Sequence, residues 1–184
     1  MIVYEYDPNW PQEFERLKAV YLQTLDNLII TVEHVGSTSI PGLKAKPTID
    51  MDMVIKDYDI FPAVVEKLAD LGYVHNGDQG IQHREAFKRD DATIPYTEPK
   101  RTWLTHHLYV CPTYSEELKR HLLLRDYLRI NDKARDAYAS IKDDIVARSK
   151  DDRPTYVAIK EDEYNDFFEN MLLEAKDYFD KNQT

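Results

Sequence analysis

VEHVGSTSIPGLKAKPTIDMDMVI, residues 32–55, contains two strand-like runs on either side of a turn. β-Branched and other apolar residues are frequent in both runs, and glycine and proline bound them, which is typical of strands joined by a loop. Small polar residues make up the turn, and two aspartates follow it at alternate positions. The stretch therefore predicts two strands, with polar chemistry at the turn and along the second strand.

Asp50 and Asp52 are these two aspartates. Side chains two positions apart on a strand point to the same face, so the two carboxylates project together. Neighbouring carboxylates repel each other unless a cation lies between them or solvent screens them. Mg²⁺ or Mn²⁺ prefers oxygen ligands and keeps coordination positions open for phosphate. The pair predicts a catalytic metal site, and a solvated polar strand face is the alternative.

The turn residues Gly36, Ser37 and Thr38 are the predicted phosphate-binding residues. Glycine at the end of a strand lets backbone N–H groups approach a ligand, and a hydroxyl adds a donor. A plain polar turn is the alternative interpretation. A P-loop is excluded, because Leu43 intervenes before the lysine and Ala45 stands where Ser or Thr would bind Mg²⁺.

The rest of the chain predicts an α/β fold of the α+β kind, with a mixed β-sheet flanked by helices and a helical C-terminal region. The predicted helices lie at residues 9–27, 61–71, 115–130 and 132–149, with one more after Pro154. The predicted strands lie at residues 28–37, 46–55, 84–90 and 102–111. We expect a single domain, residues 1–184, in which the helical region at 113–184 packs on an α/β core at 1–112.

The composition argues against several function classes. A formal net charge of −10 disfavours broad contact with a nucleic-acid backbone, although a local basic patch can hold a small anion. No window approaches the ~18 uninterrupted apolar residues that a membrane helix needs. The single cysteine, Cys111, forms no internal disulfide, and the N-terminus lacks a secretory pattern. We therefore expect a cytoplasmic protein with neither a nucleic-acid nor a membrane partner.

The Gly-Ser turn followed by Asp-Met-Asp resembles the signature of the nucleotidyltransferase-fold superfamily. The longer run EHVGSTSIPGLKAKPTIDMDMVI resembles the GrpB family of that superfamily, together with YDPNWPQEFERL, THHLYV, RHLLLRDYLR, Tyr156 and Lys160. This resemblance covers nearly the whole chain. It implies a bacterial, cytoplasmic protein with a nucleotidyltransferase-like core, in which the turn holds phosphates and the aspartates bind the metal. It assigns no substrate.

A third carboxylate, which nucleotidyltransferases usually add from a later strand, is missing from THHLYV, residues 105–110. If Leu108 and Val110 face the core, His107 and Tyr109 face the site. His107 is therefore a predicted catalytic residue with three open roles: base, metal ligand or donor to the substrate. A packed or solvent-facing imidazole without a function is the alternative. Glu33 is another source of the missing acid. It lies beside His34, and both are expected to line the pocket.

Several cations near this site suit an anionic ligand. They are Lys44, Lys46, Arg84, Lys88, Arg89, Arg125 and Arg129. We predict phosphate-binding roles for Lys46 and Arg84, because Lys46 borders the turn and Arg84 lies on a predicted strand. The others are expected to be solvated surface residues.

Two functional hypotheses follow. The first is a metal-dependent enzyme that transfers a nucleotidyl or phosphoryl group from a nucleotide or other phosphorylated small molecule to a small acceptor. The second is a non-catalytic module of the same fold that binds a nucleotide, a phosphorylated metabolite or a protein. A link to coenzyme A metabolism belongs to the second hypothesis, because GrpB-like domains resemble segments fused to dephospho-coenzyme A kinases. The chain itself has no P-loop, so kinase activity is not expected.

Overall fold

The computed structural model describes residues 3–150 and 152–182. The helices are α1 (Trp10–Leu25), α2 (Phe61–Asp70), α3 (Glu116–Ile130), α4 (Asp132–Ser149) and α5 (Arg153–Asn182). The strands are β1 (Thr31–Val35), β2 (Ile49–Ile55), β3 (Val74–His75), β4 (Glu85–Lys88) and β5 (His106–Pro112). Within the described ranges, no helix has the length and apolar character that crossing a membrane requires.

The strands form one sheet in the order β1-β2-β5-β4-β3. β2 pairs with β1 antiparallel and with β5 parallel, and β4 is antiparallel to both of its neighbours. The parallel pair needs a crossover connection, which α2 and the β3–β4 segment supply. The predicted mixed sheet flanked by helices is confirmed.

The two faces of the sheet have different partners. On one face, Ile49, Met51 and Met53 of β2 are fully buried in a core to which α1 and α2 contribute Leu17 and Leu68. Burying each such side chain contributes about 1.5–3 kcal/mol. A register shift of one residue would expose this apolar set, so the core fixes β2 with its aspartates on the opposite face.

The C-terminal helices cover part of the aspartate face. Ile40 and Leu43, from the segment after the Gly36 turn, pack in a second apolar cluster with Tyr127 of α3 and Met171 of α5. This cluster ties the helical region to the turn that follows β1. Side chains of α3, α4 and α5 can therefore reach the polar face of the sheet.

Local capping residues set where the C-terminal helices begin. The Ser115 hydroxyl accepts from the backbone N–H of Leu118 at the start of α3, and the Asn131 side chain accepts from that of Ala134 at the start of α4. The strand limits were predicted less well. β5 begins at His106 rather than at residue 102, because Trp103 precedes it as a buried loop residue. β3 was not predicted, since two residues give no periodic signal.

Candidate functional site

A cavity of about 430 Å³ lies where the Gly36 turn, β2 and β5 meet α4 and α5. We call it the central cavity. Its polar lining includes Ser37, Lys46, Asp50, His107, Lys142 and Lys160. The lining thus carries three lysines and a single carboxylate, although the whole chain has 34 acidic and 24 basic residues. Such a lining favours an anionic ligand.

The turn before the cavity depends on glycine at position 36. Gly36 has φ +69°, a left-handed backbone conformation that other residues rarely adopt. A Cβ atom here would lie 2.4 Å from Oδ2 of Asp50, well inside contact distance. Gly36 therefore brings the turn directly against Asp50, although it does not itself line the cavity.

Asp50 and His107 lie opposite each other on the parallel strands β2 and β5. Nδ1 of His107 is 2.8 Å from Oδ1 of Asp50. A carboxylate only accepts hydrogen bonds, so Nδ1–H is the donor, and in the neutral imidazole Nε2 then carries the lone pair. Nε2 has no hydrogen-bond partner among the described residues, and the side chain is 46% exposed. The arrangement gives His107 the form of a general base oriented by a carboxylate.

Asp52 has a different environment from Asp50. It is wholly buried, and it does not line the central cavity. His121 of α3 places Nδ1 2.7 Å from Oδ2 of Asp52 and Nε2 3.2 Å from Oε1 of Glu117. Burial lowers the pKa of His121, but its hydrogen bonds to Asp52 and Glu117 outweigh that effect and raise the pKa to about 9. At neutral pH an imidazolium therefore balances the charge of Asp52.

A divalent cation fits the remaining donors only in part. Oδ1 of Asp52 is buried without a hydrogen-bond partner, and Asp50 lies on the same face of β2. Across the part of the chain that the structure describes, no group of three or more His, Cys, Asp or Glu side chains is arranged to hold a metal. Two carboxylates fit one hard cation if phosphate or water completes its coordination.

Lys142 of α4 is a cavity residue that the sequence analysis did not single out. Its Nζ donates to Oγ of Ser37 at 2.8 Å and to the carbonyl of Lys44 at 3.1 Å. Burial lowers the pKa of Lys142 to about 8, although the nearby Asp50 acts in the opposite direction. The ammonium therefore lies at the turn itself, next to the hydroxyl that was predicted to bind phosphate.

Two predicted residues pair with other partners. The Arg84 guanidinium lies 4.4 Å from the centroid of the Tyr109 ring and 4.0 Å from Glu117, outside the lining of the central cavity. Glu33 accepts from Arg125 at 2.7 Å, so its charge is already balanced. Both residues belong to the polar layer under α3 that also contains Asp52.

His34 and Thr38 hold the turn in place. His34 is buried on the apolar side of the sheet, where its ring stacks on Phe14 at a centroid distance of 4.7 Å. It was expected to line the site, but it is not among the residues that line the central cavity. Burial, together with Arg129 and Arg125, lowers the pKa of His34 to about 3, and the ring is neutral. Thr38 Oγ1 donates to the Thr48 carbonyl and accepts from Nε2 of His34 at 3.0 Å. Thr38 lines the cavity, but both bonds serve the turn.

Comparison with known sequences places these features in a family. The family model described as GrpB protein matches residues 1–172. A UPF0157 protein of Halalkalibacterium halodurans is 38% identical over 141 residues, which are 75% of this chain and 65% of that protein. A dephospho-CoA kinase of Mycolicibacterium paratuberculosis is 26% identical over 187 residues, which cover 88% of this chain and 44% of the kinase. The chain thus spans less than two thirds of the length of either relative.

Two solved structures are similar to this chain in fold. The crystal structure of the conserved protein GrpB from Enterococcus faecalis matches with a TM-score of 0.77 and 28% identity, and covers 97% of this chain and 99% of that one. A structure of Cid1 in complex with its short product ApU matches with a TM-score of 0.50 and 12% identity, over 76% of this chain and 42% of that one. The second likeness shows a shared fold alone.

Proposed function

The chain belongs to the GrpB family, as its resemblance predicted, and from that premise we propose that it transfers a nucleotidyl or phosphoryl group to a small acceptor. The donor is a nucleotide or another phosphorylated small molecule bound in the central cavity. One observation carries the proposal: three lysines and the Ser37 turn surround Asp50 and His107 in a single cavity. Its volume of about 430 Å³ lies within the range of small-molecule sites.

The donor phosphates bind at the turn in this proposal. Oγ of Ser37 and Nζ of Lys142 lie 2.8 Å apart, so a phosphate oxygen that approaches beside this pair can accept from the hydroxyl and from a further N–H of the ammonium. Lys46 and Lys160 line the same cavity and neutralise further negative charge. Fixed positive charge of this kind stabilises a phosphoryl transition state without rearrangement of the protein.

His107 is the proposed base. The acceptor hydroxyl oxygen forms a bond to phosphorus, the bond from phosphorus to the leaving phosphate oxygen breaks, and the hydroxyl proton passes to Nε2 of His107. Asp50 holds the ring in the required tautomer through the 2.8 Å bond at Nδ1. A correctly placed base of this type contributes roughly 10²–10⁴-fold to a rate.

Asp50 and the unpartnered Oδ1 of Asp52 are the groups that would hold Mg²⁺ or Mn²⁺. When bound, the cation supplies charge neutralisation for the phosphate oxygens. Asp50 serves both purposes, since a carboxylate has two oxygens and only Oδ1 is bonded to His107.

Titration of the protein with ATP, GTP, CTP and UTP, in the presence of Mg²⁺ or Mn²⁺, tests the proposal. Binding of at least one nucleotide is expected, and Asp50→Asn should weaken Mn²⁺ binding, which can be followed by electron paramagnetic resonance without any turnover. Asp70→Asn is the matched control, because Asp70 is an exposed carboxylate on α2, across the sheet. If no nucleotide binds and Asp50→Asn behaves like the parent, the proposal is wrong.

Binding without turnover is a second candidate, and the environment of Asp52 favours it. An enzyme of the proposed type uses both aspartates, but Asp52 is enclosed and balanced by His121. The dephospho-CoA kinase relatives extend this candidate to a phosphorylated ligand of coenzyme A metabolism. Nucleotide binding that persists after metal chelation and never releases pyrophosphate or phosphate would support it, whereas metal-dependent release of either product would exclude it.

A further inference from the structure

A second cavity, of about 280 Å³, adjoins the central one. We call it the side cavity. It lies next to the Phe87–Leu108 pair, where the pairing of β4 and β5 ends near the last residues of β4 and the first residues of β5. His107 and Tyr109 line both cavities, so they form the wall between them.

The charged side chains that line the side cavity carry positive charge. Lys88 and Arg89 contribute two cations, and the exposed residues Asn76 and Gln79 contribute two amides. No carboxylate belongs to the residues that line it, in a chain whose net charge is −10. Lys88 is exposed and has no ion-pair partner among the residues described, whereas one nitrogen of Arg89 donates to the Ile94 carbonyl at 3.3 Å.

We propose that the side cavity holds the acceptor, and that the acceptor is a small alcohol carrying a carboxylate or phosphate group. The anionic group would lie at Lys88 and Arg89, and amides such as those of Asn76 and Gln79 suit further hydroxyl groups. This inference rests on the proposed function, which places the donor in the central cavity.

The position of His107 between the two cavities suits it to act as the base. A base must reach the proton that it removes while the attacked phosphorus lies on the other side of that hydroxyl. His107 suits this requirement, because it lines both cavities and its Nδ1 is fixed by Asp50. The acceptor proton passes to Nε2 as the new oxygen–phosphorus bond forms, and the leaving phosphate stays among the lysines of the central cavity.

Calorimetric titration with D-glycerate and with glycerol 3-phosphate tests the inference, since the two probes separate carboxylate from phosphate recognition. Each is titrated with and without a non-hydrolysable ATP analogue and Mn²⁺. We expect at least one probe to bind alongside the analogue, about fivefold more weakly to Lys88→Gln and about tenfold more weakly to the Lys88→Gln, Arg89→Gln double variant. Lys67→Gln, an exposed lysine on α2, should change neither affinity.

The central-cavity variant Lys160→Gln separates this inference from the proposed function. This variant should bind the ATP analogue more weakly and bind the two probes with unchanged affinity. If the analogue binds but neither probe does, or if the probes compete with it and respond to Lys160→Gln rather than to Lys88→Gln, the acceptor inference alone is overturned. If the analogue fails to bind while a probe binds through Lys88, the proposed function is overturned together with the acceptor role.

Discussion

Nδ1 of His121 lies 2.7 Å from Oδ2 of Asp52, so a side chain of α3 balances the charge of one aspartate of the β2 pair. The second ring nitrogen of His121 reaches Glu117, which holds the imidazole between two carboxylates. Asp50 instead faces the central cavity and the ring of His107. Two aspartates that are equivalent in the sequence pattern therefore have unequal roles in the fold: one anchors a helix and the other lines a site.

Replacing His121 by leucine should destabilise the fold by about 3 kcal/mol, because it leaves the buried carboxylate of Asp52 without its cation. Chemical denaturation monitored by circular dichroism measures the change. Adding Asp52→Asn to the His121→Leu variant removes the orphaned charge and should recover part of the loss. A double variant that is less stable than His121→Leu alone would contradict this account.

The same pair should make stability depend on pH. The pKa of His121 is raised to about 9 in the fold, above its ordinary value of 6.5. The stabilisation is therefore fully present below about pH 6.5 and is lost as the pH rises through about 9. This stabilisation amounts to about 3 kcal/mol, because each unit by which the folded and unfolded pKa values differ corresponds to 1.36 kcal/mol. Unfolding free energies of the parent and of His121→Leu, measured from pH 6 to pH 10, should converge at high pH, and a constant difference would refute the link.

The sequence predicted the features that depend on the alternation of side chains along single strands. Alternation along β2 placed Asp50 and Asp52 on one face, and the same logic placed His107 beside them on β5, where the strand register now pairs it with Asp50. Local pattern does not reveal which helix crosses that face. The position of α3 decides that His121 reaches Asp52, and only the packing of α4 brings Lys142 to the turn.

Arg84 illustrates the same limit. Its place on a predicted strand favoured a phosphate-binding role, but its guanidinium lies over the ring of Tyr109 on β5. The neighbouring Glu117 comes from α3, more than thirty positions further along the chain, and no short-range pattern connects the two. The roles assigned to the site residues, including the metal, remain predictions.

Gly36→Ala should damage the turn more than the backbone conformation alone explains. A Cβ at this position would lie 2.4 Å from Oδ2 of Asp50, so Asp50 or the turn must move. Gly77 is a close control: its φ is +68°, compared with +69° for Gly36, and an added Cβ meets nothing within 4 Å. Gly77→Ala should lower the free energy of unfolding by about 1 kcal/mol through backbone strain alone, and Gly36→Ala should lower it by at least 1 kcal/mol more. If thermal or denaturant unfolding showed that both variants lose the same stability, the Gly36 backbone would not lie tightly against Asp50.

Lys142→Met should weaken anion binding in the central cavity. Loss of one partly buried ammonium beside Ser37 should reduce the affinity for inorganic pyrophosphate by about tenfold at pH 7. Lys133→Met is the matched control, because Lys133 is an exposed lysine on the same helix. Isothermal titration calorimetry of the three proteins measures the effect, and equal affinities would remove Lys142 from the site.

The advantage that Lys142 confers should also depend on pH, and the sign follows from its lowered pKa. Because burial lowers that pKa to about 8, the ammonium is present at pH 7 and loses its proton in the free protein as the pH rises above about 8. Pyrophosphate itself titrates in this range, so the informative quantity is the ratio of parent to Lys142→Met affinities, in which that effect cancels. We expect the ratio to fall from about tenfold at pH 7 toward one by pH 10, since the neutral amine no longer attracts the anion. A ratio that stays constant up to pH 10 would mean that Lys142 keeps its proton, and that its burial does not set its charge.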